Sequence, residues 1–233
     1  QGYVLTKTPT PEVTWETTTS TNIGLDFGFF RGRLSGTADY FIRRTHDVLV
    51  EYPSKQPAPT QYQLVNIEEG YIQNKGIELG INGVVVSTSD INWDVNVNFT
   101  KINNVVKDAP ITRIQTGSAS GQGFTGVLVQ VYTNDKPMNT FYGYKHLGFD
   151  TLGRSIYEQG VSGPEPTDTL LLLGSPLPDF IWSLNTSFRY RNFDLNIFIE
   201  AVHGNLIYNN TANSIGIMGN IGMARNTFPS TVV

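Results

Sequence analysis

The sequence has no cysteine and no long apolar run, and each absence excludes a class of structure. Without Cys, the chain of 233 residues forms neither a disulfide framework nor a thiolate metal site, and it has no cysteine nucleophile. The longest apolar run, Leu170 to Leu173, is far shorter than the roughly 20 residues that a membrane-spanning helix needs. A chain of this kind can cross a membrane only with β-strands.

Charged residues are also scarce. They make up 15% of the chain, against about a quarter in ordinary soluble domains. Lys and Arg together number 16, while Asp and Glu number 20, so the net charge is −4. A nucleic-acid-binding protein usually presents a broad basic field, which this composition does not supply. We therefore expect no nucleic-acid partner.

A two-residue alternation of apolar and polar side chains is the clearest pattern that is present. Successive side chains of a strand point to opposite faces, so this period predicts β-strands. The first segment places apolar residues on one face: Ile23, Leu25, Phe27 and Phe29. Its other face carries small and polar residues: Asn22, Gly24, Asp26 and Gly28. The segment is therefore expected to form a two-faced strand.

Five further segments repeat this alternation, and the six together predict three hairpins, at about 20–50, 71–107 and 180–203. Short turns join the strands inside each hairpin, for example at Arg31–Gly32–Arg33. The segments between and after the hairpins, about 51–70, 108–179 and 204–233, are predicted to be long loops. The middle loop has a β-like run of its own, Val127 to Tyr132, so it is expected to be structured.

The alternation of short turns and long loops favours a transmembrane β-barrel, in which short turns face the periplasm and long loops face outward. Acidic residues also lie in the middle of the predicted strands: Asp26, Asp39, Glu78, Asp94 and Glu200. A hydrated lumen accepts such side chains, whereas a dry sandwich core does not accept them without partners. An antiparallel sheet with its polar face in water remains the alternative.

Four short motifs in order along the chain resemble the SusC/RagA family of TonB-dependent outer-membrane transporters. The first is the run Pro11 to Phe30, in which a Trp-Glu pair leads through a Thr-rich segment into Asn-Ile-Gly-Leu-Asp-Phe. The others are Asn74 to Leu79 (Asn-Lys-Gly-Ile-Glu-Leu), Phe141 to Lys145 (Phe-Tyr-Gly-Tyr-Lys) and Gly174 to Phe180 (Gly-Ser-Pro-Leu-Pro-Asp-Phe). Their shared order across most of the chain is the basis of the resemblance.

The resemblance implies an all-β fold, an antiparallel transmembrane β-barrel segment with long extracellular loops. It also implies a location in the bacterial outer membrane, in contact with lipid. The implied function is import of oligosaccharides or peptides, driven by TonB through an N-terminal plug domain, together with a SusD-type surface lipoprotein. No cofactor and no enzymatic activity are implied.

The chain is expected to be part of a longer protein. Residues 1–233 are predicted to be part of one barrel domain, with the plug domain and the remaining strands absent. The sequence starts at Gln1–Gly2 without a Met or a signal segment, which suggests a longer precursor. Six strands do not close a barrel of this family's size, and an open edge in lipid leaves costly unpaired backbone groups.

Motifs for catalysis or cofactor binding are weak. Gly121 to Gly126 matches G-x-G-x-x-G, but a Ser/Gly-rich stretch precedes it and a β-branched run follows, so a loop is favoured over a dinucleotide site. The three histidines, His46, His146 and His203, are far apart in sequence and have no zinc-ligand spacing. No Ser lies in a G-x-S-x-G elbow. We expect neither a catalytic site nor a metal site.

Aromatic residues in the long segment are the candidate contacts with a substrate or with the lipoprotein lid: Phe141, Tyr142, Tyr144 and Tyr157. Sugars stack on flat rings and hydrogen-bond to planar side chains, which gives this cluster a chemical rationale. Two other roles compete with this one: packing the loop against itself, and forming an interfacial girdle. Trp93 and Trp182, beside predicted strand ends, are assigned to such a girdle.

The rival to the transporter is a soluble extracellular β-rich module that binds carbohydrate or acts as an adhesin. The two hypotheses differ in what the apolar face of the strands contacts. In the barrel, six aliphatic side chains should face lipid: Ile23, Leu25, Val95, Val97, Ile197 and Ile199.

We therefore predict that charged substitutions at these six positions cost roughly 2 to 4 kcal/mol near the bilayer midplane, because lipid cannot solvate the charge. The same substitutions on the alternate face should have much smaller effects. The free energy of unfolding of the receptor in lipid measures both, and equal tolerance on the two faces would count against a barrel.

Overall fold

The structure is a computed structural model, and it describes residues 9–54, 57, 60, 62–67, 69–110, 113–121, 124, 126–153, 155–160, 167–168 and 170–215. Most of the loop predicted at 204–233 lies outside these residues, as do parts of the loops at 51–70 and 108–179. Three positions of the G-x-G-x-x-G match, 122, 123 and 125, also lie outside them.

The described residues form an almost entirely antiparallel β structure, as the alternation predicts. Sixteen strands and one short helix follow in chain order: β1 Thr17–Phe29, β2 Leu34–His46, β3 Leu49–Pro53, β4 Tyr62–Asn66, β5 Tyr71–Ser87, β6 Ile91–Lys107, β7 Ile114–Ser118, β8 Leu128–Tyr132, β9 Thr140–Tyr144, β10 His146–Phe149, β11 Ser155–Tyr157, β12 Gln159–Gly160, β13 Thr167–Asp168, β14 Leu170–Gly174, β15 Phe180–Tyr190, β16 Phe193–His203 and α1 Asn210–Ile215. No helix among the described residues is both long and apolar enough to span a membrane.

The chain divides into two compact units. The first consists of residues 1–112, 133–137 and 177–205, and it contains a six-stranded sheet. The second consists of residues 113–132, 138–176 and 206–233, and its largest element is a four-stranded sheet in the order β14-β9-β8-β7. The β-like run at Val127 to Tyr132 is part of this second unit as β8.

The six-stranded sheet has the order β1-β2-β5-β6-β15-β16, and all its neighbouring strands are antiparallel. The six segments identified by alternation are these six strands. The β6–β15 pair joins strands on either side of the segment 108–179, with Val97 opposite Leu184. This pairing makes one continuous surface out of hairpins that are distant in sequence.

Direct partners in an antiparallel ladder share a face, so the register defines rows that cross the whole sheet. One row on the first face is almost wholly apolar: Phe27, Gly36, Ile81, Val97, Leu184 and Ile199. The adjacent row on the opposite face is mostly polar: Asp26, Thr37, Gly80, Asn98, Ser183 and Glu200. We call these surfaces the apolar face and the polar face.

Side chains on the apolar face remain exposed within this unit. Ile23 and Leu25 are 69% and 64% exposed, and Ile197 and Ile199 are 42% and 43% exposed. Contiguous apolar surface of this extent is unusual on soluble monomers and marks contact with another apolar phase or partner. The face is therefore built to meet lipid or an apolar partner.

Tight turns close the three hairpins at the same end of the sheet. In the β1–β2 turn, Phe30 and Arg31 have φ values of 54° and 57°, which reverses the chain within four residues. The Gly32 amide donates to the Phe29 carbonyl at 3.1 Å. The Arg191 amide of the β15–β16 turn donates to the Asp90 carbonyl of the β5–β6 turn at 2.8 Å, so these two turns are linked.

The opposite end of the sheet carries the long connections. Within the first of them, β3 and β4 pair with Val50 opposite Val65, and Val50 is 5% exposed. The sequence pattern does not predict this ladder, because Pro53, Pro57 and Pro59 interrupt the alternation. Several buried apolar side chains of the unit also lie at this end, including Phe41, Ile72 and Val106.

Two aromatic rings of β1 and β2 cover glycines on the neighbouring strands. The Phe27 ring lies over Gly36, and the Phe41 ring lies over Gly76. A Cβ at position 76 would lie 2.5 Å from the Lys101 carbonyl oxygen and 2.8 Å from the Phe41 ring. The glycine is therefore needed for close packing of ring against backbone.

We predict that Gly76→Val lowers the free energy of unfolding of the receptor by about 1 to 3 kcal/mol, because the ring and the strand must move apart. Gly28→Val is the matched control, since a Cβ there meets no atom within 4 Å. Denaturant unfolding of the refolded receptor measures both variants. Equal losses would show that ring packing does not stabilise this sheet.

Candidate functional site

The polar face carries a hydrogen-bonded network across three strands. Asn96 Nδ2 donates to Asn82 Oδ1 at 2.5 Å, and Asn98 Nδ2 donates to Asn96 Oδ1 at 2.8 Å and to Ser183 Oγ at 3.3 Å. These links join β5, β6 and β15. Because these side chains are hydrogen-bonded to one another, their donor and acceptor groups keep fixed positions on the polar face.

A shallow depression of about 190 Å³ lies beside this network. It is lined by residues of β5, β6 and β15: Asn82, Gly83, Val84, Asp94, Val95, Asn96, Asn185 and Ser187. The depression is open to its surroundings, whereas a small-molecule site is usually an enclosed cleft or cavity.

The acidic residues predicted to lie mid-strand are all on the polar face. Asp26, Asp94 and Glu200 lie in its rows, and Asp39 lies directly opposite Glu78. Like charges directly opposite each other destabilise a sheet unless water screens them. Their arrangement fits a hydrated surface better than a dry interior.

The four predicted aromatic contacts lie in the second unit. Phe141, Tyr142 and Tyr144 belong to β9, and Tyr157 ends β11. β9 is an inner strand of the four-stranded sheet, with β14 on one side and β8 on the other. β11 pairs with β10 through Tyr157 opposite His146, close in sequence to the end of β9.

Tyr144 and Tyr157 are brought together. Their ring centroids lie 5.6 Å apart at an angle of 54°, and the His146 ring lies 5.6 Å from Tyr157 edge-on. Tyr144 is 52% exposed. Lys145, which follows β9, and Glu158, which follows β11, form an ion pair with 2.6 Å between Lys145 Nζ and Glu158 Oε2. We call these five residues the aromatic patch.

Tyr142 has a different environment. It is 7% exposed, the Arg113 guanidinium lies 4.5 Å from its ring centroid, and Arg113 Nη1 donates to its hydroxyl. Val131 and Thr140, on the paired strands β8 and β9, are 0% and 3% exposed. Tyr142 therefore packs the interior of this sheet and offers a ligand almost no surface.

Phe141 is also separate from the patch. Its ring centroid lies 6.2 Å from that of Tyr208, which precedes α1. Asn210 at the start of α1 is held to Ser120, since Asn210 Nδ2 donates to the Ser120 carbonyl at 2.8 Å. Phe141 thus contributes to packing around this short helix.

Burial raises the pKa of the Tyr132 hydroxyl on β8, although a hydrogen bond with Thr116 acts in the opposite direction. The phenol therefore stays protonated at neutral pH and serves as a hydrogen-bonding group. Its partner Thr116 lies on β7, so the bond ties the two strands together across the ladder.

The glycine-rich match does not lead into a helix. Phe124 N donates to the Gly121 carbonyl at 3.2 Å and Val127 N donates to the Phe124 carbonyl at 3.1 Å, so two successive turns lead into β8. A dinucleotide site needs a helix N-terminus at that place. Among the described residues, no group of three or more His, Asp or Glu side chains could hold a metal ion.

Sequence reasoning missed three residues that shape these surfaces: Arg113, His146 and Tyr208. In the sequence, His146 is considered only as a candidate metal ligand, whereas in the structure its ring lies against Tyr157. The pairing of β10 with β11 creates this contact, and neither strand is long enough to show a period. In the sequence, only the aromatic residues near position 144 indicate that such a patch exists.

Comparison with known proteins identifies the family. Residues 1–215 match the family described as "TonB dependent receptor-like, beta-barrel". The chain is 30% identical to TonB-dependent receptor P3 of Formosa agariphila, over 92% of this chain and 23% of that protein. It is 29% identical to TonB-dependent receptor SusC of Bacteroides thetaiotaomicron, over 83% of this chain and 20% of that protein.

Solved structures agree in fold. The RagAB peptide transporter superposes with a TM-score of 0.72 at 18% identity, over 88% of this chain and 23% of that chain. The RagAB peptide importer in its open-open state gives a TM-score of 0.69 at 19% identity, over 88% of this chain and 22% of that chain.

The chain spans about a fifth of the length of the curated relatives it matches. The predicted resemblance to the SusC/RagA family is confirmed by the family match, by SusC itself and by the RagAB fold. The chain is a homologue of SusC and belongs to the TonB-dependent receptor-like β-barrel family.

Proposed function

We propose that this chain is part of a bacterial outer-membrane transporter that imports oligosaccharides or peptides. In this proposal TonB supplies the energy through a plug domain outside this chain. A SusD-type surface lipoprotein covers the outer opening. The observation that carries the proposal is the continuous two-faced sheet, since its register gives one apolar and one polar face in a member of a barrel family.

The location of the long connections supports the proposed orientation. All three hairpins turn tightly at one end of the sheet, and the connections that contain β3–β4 and the second unit leave from the other end. Barrels of outer membranes place short turns in the periplasm and long loops outside. The connections between the hairpins would then leave the barrel on the extracellular side.

The polar face supplies the lumen in this proposal. Its amide network and its carboxylates Asp26, Asp39, Glu78 and Asp94 would hydrate the interior or contact the plug domain. The like-charged pair Asp39 and Glu78 is tolerable there, because water or a basic group of the plug can screen it. The same residues would be costly on a lipid-facing surface.

The aromatic patch is the proposed contact with ligand or with the lid. The exposed Tyr144 ring and the half-buried Tyr157 ring offer flat apolar surface with a polar edge, which suits both sugar rings and peptide side chains. The Lys145–Glu158 ion pair beside them can exchange hydrogen bonds with hydroxyl or amide groups. Because Tyr142 is buried, Tyr144 and Tyr157 carry this role.

The competing functions have less support. A soluble adhesin or carbohydrate-binding module would leave the apolar face in water, at a high cost in hydration. The related proteins named above are called receptors, transporters or importers, and none of those names denotes an enzyme.

The proposal predicts TonB-dependent uptake by cells that carry the full-length receptor. Uptake of labelled oligosaccharide or peptide pools should stop when TonB is removed. Tyr144→Ala with Tyr157→Ala should lower ligand affinity by roughly tenfold, because each ring contributes about 0.5 to 1.5 kcal/mol beyond its buried area. Uptake kinetics and calorimetric titration of the purified receptor measure these effects.

Tyr144→Phe with Tyr157→Phe is the matched control, since it keeps both rings and should retain most of the affinity. Uptake that continues without TonB would contradict the transport function. Normal uptake and unchanged affinity in the alanine variant would contradict only the role of the aromatic patch.

A further inference from the structure

The acidic side chains of the six-stranded sheet are confined to one of its two faces, whereas basic side chains occur on both. The register places every acidic side chain of these six strands on the polar face: Asp26, Asp39, Glu78, Asp94, Asp194 and Glu200. The apolar face of the same strands has no acidic residue. Among its apolar side chains it carries six basic ones, which are lysines, histidines and one arginine: Arg44, His46, Lys75, Lys101, Lys107 and His203.

All of these basic residues lie at the end of the sheet with the long connections. Ile42 is opposite Lys75 and Ile77 is opposite Lys101, and the next two rows toward the tight turns pair Leu79 with Phe99 and Ile81 with Val97. No basic residue interrupts the apolar face between Lys101 and Trp93 on β6. The cations therefore form a rim on one side of the apolar band.

Three of the rim cations form a diagonal line across neighbouring strands. Arg44 on β2 is opposite Gln73, two residues from Lys75 on β5, and Lys75 is opposite Asn103, two residues from Lys101 on β6. Diagonal neighbours on one face lie about 7 to 8 Å apart, within reach of long side chains. We call Arg44, Lys75 and Lys101 the basic diagonal.

The basic diagonal is exposed and has no carboxylate partner among the described residues. Arg44, Lys75 and Lys101 are each exposed, and none forms an ion pair there. Arg44 is held in place, since its Nε donates to Gln73 Oε1 at 3.3 Å and its guanidinium lies 5.5 Å from the Tyr71 ring centroid.

Lys107 and two threonine hydroxyls lie on the same face near the basic diagonal. Lys107, further along β6, is paired with Asp135 and is therefore not part of the diagonal. On the same face, β1 presents the hydroxyls of Thr19 and Thr21 opposite Arg44 and Ile42. Hydroxyl donors thus flank the cations on one side.

The position of the diagonal matches the headgroup level of a bilayer. Lys101 lies ten residues along β6 from Ile91, next to the tight turn. At about 3.4 Å per residue and a strand tilt of about 45°, this distance corresponds to about 24 Å across the membrane. The apolar band of outer-membrane barrels is about 25 Å tall, so the ammonium groups reach its upper boundary.

We propose that the basic diagonal binds the phosphate groups of a phosphorylated lipid in the outer leaflet, while the acyl chains lie on the apolar band below. Three cations without acidic neighbours match the negative charge of such a headgroup. The apolar rows directly beneath match its chains. The site lies on the outside of the barrel and goes beyond the proposed transport of ligands through the interior.

Titration of the full-length receptor in neutral detergent with a diphosphorylated lipid A probe, followed by native mass spectrometry, tests this proposal. Wild-type receptor should retain the anionic lipid in preference to phosphatidylcholine. Lys75→Gln with Lys101→Gln should weaken binding about twenty- to thirtyfold, since each basic residue near anionic lipid contributes about fivefold. The single variant Lys101→Gln should lose about fivefold.

Arg43→Gln with Arg189→Gln is the control, because it removes the same charge from the polar face. It should leave lipid binding unchanged, and the charge-retaining variant Lys75→Arg with Lys101→Arg should bind as wild type does. Equal losses in the two glutamine double variants would overturn the proposal. So would unchanged binding in Lys75→Gln with Lys101→Gln, or displacement of the lipid by millimolar inorganic phosphate. Transport assays do not enter this test, so the two proposals fail independently.

Discussion

The six-stranded sheet depends on the alternation of side chains along paired strands, in a register that is continuous except for a β-bulge between Val84 and Val86 in the β5–β6 ladder. Each residue of the six-stranded sheet shares a face with its direct partners, so rows such as Phe27 to Ile199 stay apolar across all six strands. A slip of one residue in any ladder would move a set of aliphatic side chains to the polar face and carboxylates to the apolar face. The register is therefore fixed by both faces at once.

This constraint also explains the relation between the chain and its family. Six strands do not close a barrel, and the outer edges of β1 and β16 have no neighbouring strand among the described residues. The relatives are about five times longer than the matched region, which leaves room for the strands that complete the barrel. Local packing, such as Phe41 over Gly76, then holds neighbouring strands at a fixed spacing.

Much of the sheet could be predicted from the sequence, because its strands are long and two-faced. The segments around Ile23, Val97 and Ile197 each show enough alternating positions to define a strand and its faces. The β3–β4 ladder could not be predicted, since its strands are only five residues long and the segment between them contains Pro57 and Pro59. The pairing of β6 with β15 could not be predicted either, because the two strands are separated by the segment 108–179 and no local sequence pattern indicates that they are neighbours. The family motifs, by contrast, were enough to identify the barrel type.

The candidate site was predictable only in part. The aromatic cluster was visible in the sequence, but burial separates its members: Tyr142 is enclosed with Arg113, whereas the exposed Tyr144 ring lies beside the half-buried Tyr157 ring. Burial depends on which strand lies alongside, and the short strands β10 and β11 have no periodicity that reveals it. The basic diagonal likewise follows from register, since Arg44, Lys75 and Lys101 are distant in sequence.

We expect one face of this sheet to contact lipid and the other face to contact water. Nitroxide labels at successive positions of β16 from 195 to 200, in the full-length receptor in a bilayer, test it most directly. Oxygen, which concentrates in lipid, should relax the labels at 195, 197 and 199 most strongly, and a water-soluble nickel complex should relax those at 196, 198 and 200. Relaxation without a two-residue period, or with the opposite phase, would contradict the account.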